Sequence, residues 1–399
     1  MKKITPILLW LGTLACFGSV FLTAGTTPAA TLLVPGDFLT IQAGIDAASD
    51  GDTVIVANGT YMGPGNRNMP FHGKAITLRS AEGPLRCVIN CQHKGNAFRF
   101  ENSEGPKSVL NGFTIINGRE LRGGAIYIKE SSPTITNCLF RKNQGKRRGG
   151  IDGYGGAIYC TDDIIVNKVS PWTERGPCKP TITNCVFSGN RADYGGAIYC
   201  YSDGPFSVTA PTISHCTITK NSADLEGGGL YSWLSEPVVK NCIFWNNHAG
   251  TFYPEIRSIG GSPSVTFCDV EGGYPGKGNI GQDPLFVGGR DYRLEAGSPC
   301  INRGMDAGVY KDIDGKMRPI SGDFDMGVFE YSGPCWDADA DGHTNRICGG
   351  DDCDDTNANI FPGNTNPFCN CIDPYPLGTK EIFGDGMDNN CNGLVDEWR

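Results

Sequence analysis

The central part of the chain repeats a short pattern of alternating apolar and polar residues. The phrase Thr-Ile-Thr-Asn-Cys-Leu-Phe-Arg-Lys-Asn occupies residues 134–143, and related phrases follow at 181–190, 212–221, 238–247 and, in shorter form, 265–270. A second phrase, Gly-Gly-Ala-Ile-Tyr, stands between them at 123–127, 155–159 and 195–199, and as Gly-Gly-Leu-Tyr at 228–231. Because the alternation has a period of two and many positions are β-branched, both phrases predict strands rather than helices.

The spacing of the repeats indicates how the strands are arranged. The repeated cysteines are 47, 31, 26 and 26 residues apart, and polar insertions around 145–154 and 162–179 account for the two larger gaps. A period of about 26 is too short for the ~40–45-residue blade of a propeller. It matches one coil of a right-handed parallel β-helix, whose coils pair about 4.8 Å apart. Equivalent residues then stack, so we expect Ile on Ile and a ladder of Asn amides.

The upstream residues predict the start of this solenoid. Ile41, Ile45 and Ala48 fall on one face of a helix over 40–48, which is expected to cover the open end of the first coil. Degenerate coils are predicted to supply strands at 53–56, 75–79, 86–90, 97–100 and 109–116.

These motifs resemble those of known families. Gly-Gly-Ala-Ile paired with Phe-x-x-Asn at 140–143, 187–190 and 244–247 resembles the repeats of polymorphic outer-membrane adhesins, and also the wider right-handed β-helix, pectate-lyase-like superfamily of secreted bacterial proteins. The stretch 281–327 is similar to the choice-of-anchor domain that often ends such β-helices, through Asp312-Ile-Asp-Gly315, Arg318-Pro319 and Asp325-Met-Gly327. The resemblance implies an all-β fold and an extracellular location. It implies no activity, because this superfamily contains enzymes, adhesins and surface proteins alike.

The N-terminus has the order of a secretory signal peptide. Lys2 and Lys3 precede a mostly apolar stretch over 4–22, and small residues follow up to Ala30. The alternative is a membrane anchor, but Pro6, Gly12 and Gly18 interrupt the stretch. We therefore expect export, with a secreted or cell-surface, outer-membrane-associated location and no transmembrane segment after signal removal. The chain's 18 cysteines agree with an oxidising destination.

Charge is concentrated at the C-terminal end of the chain. The 399 residues carry a net charge of -9, while residues 335–399 hold 11 Asp and 2 Glu against 1 Lys and 2 Arg, a net of -10, so the rest sums to about +1. This balance argues against nucleic acid as a partner. The predicted organisation is a signal peptide (1–30), a β-helix (31–280), a C-terminal capping or choice-of-anchor-type region (281–334) and an Asp/Cys-rich metal-binding module (335–399).

The acidic module carries the pattern of a cation site. Asp337, Asp339 and Asp341 stand at positions 1, 3 and 5 of an EF-hand-like loop with Gly at position 6, and His343 would offer its backbone carbonyl. The remaining predicted ligands follow in sequence: Asp352, Asp354, Asp355 and, in a second loop, Asp388, Asn390, Asn392 and Asp396. Because these ligands are hard oxygens, Ca²⁺ is the expected cofactor. The segment resembles the MopE-type metal-binding module and, more loosely, thrombospondin type 3 calcium repeats. Its six cysteines predict disulfide bonds, and the sequence does not determine which cysteines pair.

Two readings of the other cysteines follow from their positions. The repeat cysteines occupy one equivalent position and are expected to stack as small buried apolar residues, with disulfides as the alternative; they are Cys138, Cys185, Cys216, Cys242 and Cys268. Cys160 and Cys200 follow Ala-Ile-Tyr in adjacent coils, where a disulfide is also compatible with the spacing.

The sequence contains no recognisable catalytic set and no cofactor-binding motif besides the metal loops. The Arg-x-x-Pro-x-x-Arg phrase of pectate lyases is absent, as are the Asn-Thr-Asp and Gly-His-Gly phrases of polygalacturonases. Asp162-Asp163 reads either as a catalytic carboxylate pair or as the start of a solvated loop. Lys146-Arg147-Arg148 reads either as a binding site for an anionic glycan or as a charged loop tip. The aromatic residues of the insertions read either as sugar-stacking platforms or as cover for the solenoid flank: Tyr154, Trp172, Tyr201, Trp233 and Trp245.

The composite prediction is a non-enzymatic secreted or cell-surface protein that acts in adhesion or in carbohydrate and matrix binding, and that binds Ca²⁺ through its C-terminal Asp-rich loops. The partner expected is a polysaccharide or surface glycan. The alternative is a polysaccharide lyase or related glycan-active enzyme acting on acidic polysaccharides in a groove of the β-helix, and a third reading is a purely structural envelope component. The oligomeric state is left open.

Overall fold

The computed structural model describes residues 28–162, 176–204, 209–320 and 322–333. These residues form an all-β, right-handed-type parallel β-solenoid of about 7 turns with almost no helix, as the repeat pattern predicts. The only helix among them is α1 (Ile41–Ala47). Strands are numbered β1 to β31 in chain order.

Four stacked parallel sheets, named A to D, form the solenoid. Sheet A contains β1 (Thr31–Val34), β2 (Thr53–Val56), β5 (Thr77–Ser80), β8 (Val109–Asn111), β12 (Thr134–Thr136), β16 (Thr181–Thr183), β20 (Thr212–Ser214), β24 (Val238–Lys240) and β28 (Ser264–Thr266). Sheet B contains β3 (Gly59–Tyr61), β6 (Cys87–Asn90), β9 (Thr114–Ile116), β13 (Leu139–Arg141), β17 (Val186–Ser188), β21 (Thr217–Thr219), β25 (Ile243–Trp245) and β29 (Asp269–Val270).

The other two sheets complete the coils, and sheet D, with five strands, is present in only some of them. Sheet C contains β4 (Met69–Pro70), β7 (Phe98–Phe100), β11 (Ile126–Lys129), β15 (Ile158–Thr161), β19 (Ile198–Tyr201), β23 (Leu230–Trp233) and β27 (Ile256–Ile259). Sheet D contains β10 (Arg119–Glu120), β14 (Gln144–Gly145), β18 (Arg191–Tyr194), β22 (Ser222–Glu226) and β26 (His248–Ala249). A separate antiparallel hairpin is formed by β30 (Phe286–Gly288) and β31 (Asp291–Leu294).

The register places like residues in columns, as the repeat predicts. Ile135 pairs with Ile182 and Ile182 with Ile213 in sheet A. In sheet B, Phe140 pairs with Phe187, and their rings stack 4.7 Å apart at 8°. Since these side chains alternate with outward-facing ones, one continuous buried core runs along the solenoid.

The repeat cysteines belong to this core and are fully buried as free thiols, which confirms the packing interpretation. Cys160 and Cys200 are register partners in β15 and β19, and both are also free, so the alternative of a disulfide between them is wrong. Their buried surroundings of Ile and Phe side chains explain why Cys serves here as a small apolar residue.

Helix α1 forms where the apolar spacing predicts it. The Thr40 hydroxyl caps its N-terminus by accepting a hydrogen bond from the Ala43 amide at 3.2 Å. Ile41 and Ile45 are fully buried in the core. The helix contacts β1, β2 and β4; its role as an end cap stays a prediction.

A buried ladder of asparagines follows sheet B, as expected from the repeat. The Nδ2 groups of Asn143, Asn190 and Asn221 each donate to the Oδ1 of the next member, at 3.1, 2.9 and 2.9 Å. Asn247 is the last asparagine, and its amide groups donate to the carboxyl group of Glu255. Burial raises the pKa of Glu255 to about 8, opposed by the hydrogen bonds from Asn247.

A column of tyrosines covers the outer face of sheet C. Tyr127, Tyr159, Tyr199 and Tyr231 stack with ring centroids 5.9, 5.3 and 5.0 Å apart and ring planes within 8°. The Gly-Gly-Ala-Ile-Tyr phrase therefore supplies an external column as well as a core residue.

Residues 281–333 lie against the flank of the solenoid, on the outer face of sheet B. Leu139 and Val186 point outward and pack with Tyr292 and Val328. Further along, Ile243 packs with other residues of this region. The Val328 amide donates to the Thr217 hydroxyl at 3.2 Å, which fixes the region to the middle coils. The prediction that residues 281–334 close the end of the solenoid remains untested.

Candidate ligand-binding groove

The predicted metal ligands lie outside the described residues, as do the cysteines of the acidic module. These ligands are Asp337, Asp339, Asp341, His343, Asp352, Asp354, Asp355, Asp388, Asn390, Asn392 and Asp396. Within the described ranges, no group of three or more His, Cys, Asp or Glu residues could hold a metal ion.

The structure instead reveals a groove between sheet B and the β30–β31 hairpin. It consists of two adjoining cavities, of about 380 and 540 Å³, that share Arg141, Arg290 and Tyr292 in their walls. We call the first the apolar half, since Leu139, Val186 and Phe329 line it, and the second the cationic half.

Strand alternation brings Arg141 into this groove. Phe140 is fully buried in the core, so its neighbours Leu139 and Arg141 point outward from β13. The equivalent outward position on β17 is Ser188, the register partner of Arg141. The short side chain of Ser188 leaves space beside the guanidinium, and both residues line the cationic half.

The corner after sheet B brings two lysines to the same half of the groove. Lys142, Gly189 and Lys220 occupy equivalent positions in three successive coils, each with positive φ, at 55°, 66° and 56°. Asn117 and Asn246 hold the same position in flanking coils. Asn and Gly tolerate this left-handed conformation better than Lys, so the conformation itself does not favour the lysines.

The hairpin supplies the fourth cation. Phe286 pairs with Leu294 and Gly288 with Asp291, so Gly289 and Arg290 form the tight connection. Gly289 has a φ of +63°, which suits such a turn. Arg290 is exposed at the tip and lines both halves of the groove.

Charge is distributed unevenly along the groove. In the apolar half, Arg293 pairs with Asp291, at 3.1 Å, and with Asp314, and Glu82 is a third acidic residue of the lining. The cationic half is lined by Arg141, Lys142, Lys220 and Arg290, and none of its described lining residues is Asp or Glu. Burial lowers the pKa of the Arg141 guanidinium, and the positive charge of Arg290 acts in the same direction.

A buried ion pair stabilises the wall opposite sheet B. Arg318 donates to Glu330 at 2.7 Å, with both side chains at most 2% exposed. Asp312 accepts backbone hydrogen bonds from Asp314, Lys316 and Glu330. The Asp-x-Asp-Gly and Arg-Pro motifs therefore hold together the region that carries the hairpin, rather than forming an exposed site.

The loop clusters singled out in the sequence lie elsewhere. Arg147 forms ion pairs with Asp152 at 2.5 Å and with Asp193 at 3.5 Å, so two carboxylates of the protein already pair with its guanidinium group. Asp162 is buried and accepts from the Asp203 amide, while Asp163 lies outside the described residues.

Most of the named aromatic residues cover the flank. Tyr154, Tyr201 and Trp233 pack against the tyrosine column, and Trp245 packs beside Ile243. Trp172 lies outside the described residues.

The groove is not evident from the sequence because its cations come from distant segments. Arg141 and Lys142 are the variable residues of one Phe-x-x-Asn motif, and Lys220 occupies the corresponding place in another copy. A signal was present, since outward positions of sheet B are apolar at Leu139, Val186 and Ile243, which indicates a covered flank.

Comparisons with known proteins agree with the repeat and metal motifs. Residues 137–161 and 184–201 match the Chlamydia polymorphic membrane protein repeat. Residues 352–374 and 377–397 match the MopE family model described as "Putative metal-binding motif". The chain thus carries β-helix repeats similar to those of surface proteins, followed by a metal-binding motif.

Similarity at the level of whole proteins is weak. A solved structure titled "Crystal structure of pectate lyase Pel9A" is similar at 13% identity over 77% of this chain and 98% of that chain, with a TM-score of 0.25. This value is too low to support any argument about activity. No curated protein matches the sequence. In the parts of the chain that the structure describes, no helix is long and apolar enough to cross a membrane.

Proposed function

We propose that this protein is an exported, non-enzymatic surface or matrix protein that binds a glycan in the groove between sheet B and the β30–β31 hairpin. The observation that carries the proposal is the groove itself, a concave site on a stiff scaffold with apolar and cationic halves. Similarity to polymorphic membrane protein repeats supports a location at the cell surface or outer membrane.

The composition of the groove suits a carbohydrate ligand. Phe329 offers partly exposed aromatic surface in the apolar half, and the other half offers Asn117, Ser188 and cationic donors for hydroxyl and acidic groups. Both walls are fixed by buried contacts, so the ligand would meet a largely preformed site.

Binding to a glycan array tests this function directly. We expect the full-length mature protein to retain a subset of glycans, and Phe329→Ala to reduce that retention. The matched control is Tyr310→Ala, because Tyr310 is exposed and lies outside the groove lining. An array without any retained glycan contradicts the proposal, and unsaturated products from uronic-acid polymers would favour the alternative of a lyase.

The acidic module is proposed to bind Ca²⁺ through its Asp-rich loops. The metal-binding motif supports a metal site, and the predominance of carboxylate and amide oxygens in the loops favours Ca²⁺. Calorimetric titration of the full chain should show Ca²⁺ binding that Asp339→Asn and Asp341→Asn together weaken at least tenfold, while Asp306→Asn, outside the module, leaves it unchanged. Equal affinity in the double variant would contradict this assignment.

A further inference from the structure

We propose that the cationic half of the groove binds an oxyanion, the carboxylate or sulfate group of an acidic glycan, between Arg141, Arg290 and the Lys142–Lys220 column. The inference rests on the proposed glycan-binding function and adds the charge class of the ligand.

The first argument is the convergence of two guanidinium groups. Arg141 comes from β13 and Arg290 from the hairpin, so the tertiary fold brings together charges that are about 150 residues apart in sequence, 290 against 141. Neither forms an ion pair with any described residue, although Arg99, Arg191 and Arg257 all pair with carboxylates. In the cationic half, the fold thus places two positive charges together with no acidic residue in the described lining, whereas Glu82, Asp291 and Asp314 line the other half.

The second argument is a donor without a partner. The Arg141 Nε is buried and has no hydrogen-bond partner among the described residues. A buried donor of this kind carries a desolvation cost that a bound acceptor removes. Carboxylate and sulfate groups fit the planar donor fork of arginine and form charge-assisted hydrogen bonds with it.

The third argument is the spacing of the lysines. Lys142 and Lys220 are separated by one coil, so their backbones lie roughly 10 Å apart, twice the distance between paired strands. Between them lies Gly189, where an added Cβ would meet nothing within 4 Å. The floor of the cationic half is therefore open, and the flanking ammonium groups can contact successive acidic groups of a polymer.

Non-specific attraction does not explain such binding. The net charge of -9 lies in residues 335–399, and the rest of the chain sums to about +1, so long-range attraction of a polyanion to the solenoid is weak. Retention of an acidic glycan consequently needs a local cluster of cations, and this cluster is the one that the groove supplies.

A series of dextrans isolates the role of charge. Neutral dextran, carboxymethyl-dextran and dextran sulfate share one polysaccharide backbone. The first carries no oxyanion, the second carries carboxylate groups and the third carries sulfate groups. We expect the full-length protein, with Ca²⁺ present, to bind one or both acidic forms and to bind neutral dextran at least tenfold more weakly. Binding of the carboxymethyl or the sulfate form alone identifies the preferred group.

The variants are chosen from residues that the solenoid already accepts at equivalent positions. Lys142→Asn and Lys220→Asn copy Asn117 and Asn246, and each should weaken binding about threefold. Arg141→Ser copies Ser188; combined with Arg290→Ser, it should weaken binding at least tenfold. Lys107→Asn, on an exposed turn outside the groove lining, is the control and should change affinity by less than twofold.

The outcomes separate this inference from the proposed function. If neutral dextran binds as well as the acidic forms, or no dextran binds, or the lysine variants and the arginine double variant retain wild-type affinity, the oxyanion site is refuted. Retention of neutral glycans alone on the array would refute the oxyanion site and leave the glycan-binding function intact. An array that retains nothing refutes both.

Discussion

The asparagine ladder offers the sharpest test of the stacked architecture, through the substitution Asn190→Ala. The Asn190 Nδ2 donates to the Phe140 carbonyl and to the Asn221 Oδ1, both at 2.9 Å. Its Oδ1 accepts from the Asn143 amide at 3.0 Å and from the Asn143 Nδ2 at 3.1 Å. The side chain is 1% exposed, so water cannot replace these partners without opening the coil.

The magnitude follows from these contacts. A net hydrogen bond contributes about 1 kcal/mol, and leaving a buried donor unsatisfied costs about 1–3 kcal/mol. Asn190→Ala breaks four side-chain bonds and leaves the Asn143 amide without its acceptor, while the Asn143 Nδ2 keeps the Ile115 carbonyl. We therefore expect a loss of about 3–5 kcal/mol in the free energy of unfolding.

Urea denaturation followed by far-UV circular dichroism measures this loss, with Asn102→Ala as the control on an exposed asparagine. The control should remain within about 0.5 kcal/mol of wild type. A loss below about 1 kcal/mol for Asn190→Ala would refute the ladder as a source of stability. Hydrogen exchange should also show faster opening in the coils of Asn143 and Asn221, since each coil contacts only its neighbours.

Three further predictions concern other buried groups. Arg318→Met should cost about 3–5 kcal/mol in urea denaturation, because it leaves Glu330 buried without its cation, and a loss below about 1 kcal/mol would argue against the ion pair. Glu255 has a folded-state pKa of about 8 against an ordinary 4.5, so the folded protein binds more protons between these values and its stability falls as pH rises through them. Glu255→Gln should reduce the fall in unfolding free energy between pH 5 and pH 8 without removing it, because burial also raises the pKa of Asp269 to about 6 and of Glu330 to about 7. An unchanged slope would contradict this reading. Tyr199→Ala should cost about 3–5 kcal/mol and Tyr199→Phe less than about 1 kcal/mol in thermal and urea unfolding, whereas equal effects would show that ring stacking contributes little.

The repeat alone was sufficient to predict the solenoid and much of its interior. A parallel β-helix places equivalent residues one above another, so the recurring Ile and Phe stack in the core and the recurring Asn side chains pair their amides. The tyrosines after Gly-Gly-Ala-Ile stack for the same reason, because they recur at equivalent positions of successive coils. The repeat cysteines stack in the same apolar core, which agrees with their being buried free thiols.

The groove could not be predicted in the same way. Its walls come from segments about 150 residues apart in the sequence. No local sequence pattern indicates that residues 281–333 pack along sheet B. The outward apolar residues Leu139 and Val186 show that something covers this flank, without showing what. The position of Arg290 depends on this long-range packing, as does the pairing of Arg293 with Asp314 in the neighbouring half.

Hydrogen–deuterium exchange of the full chain, with and without a glycan retained on the array, tests the central claim most directly. Binding in the groove predicts slower exchange in peptides that cover 139–142, 186–189 and 286–294, with little change on the outer face of sheet A. Protection confined to sheet A, or no protection in any of the three groove segments at saturating glycan, would contradict the account.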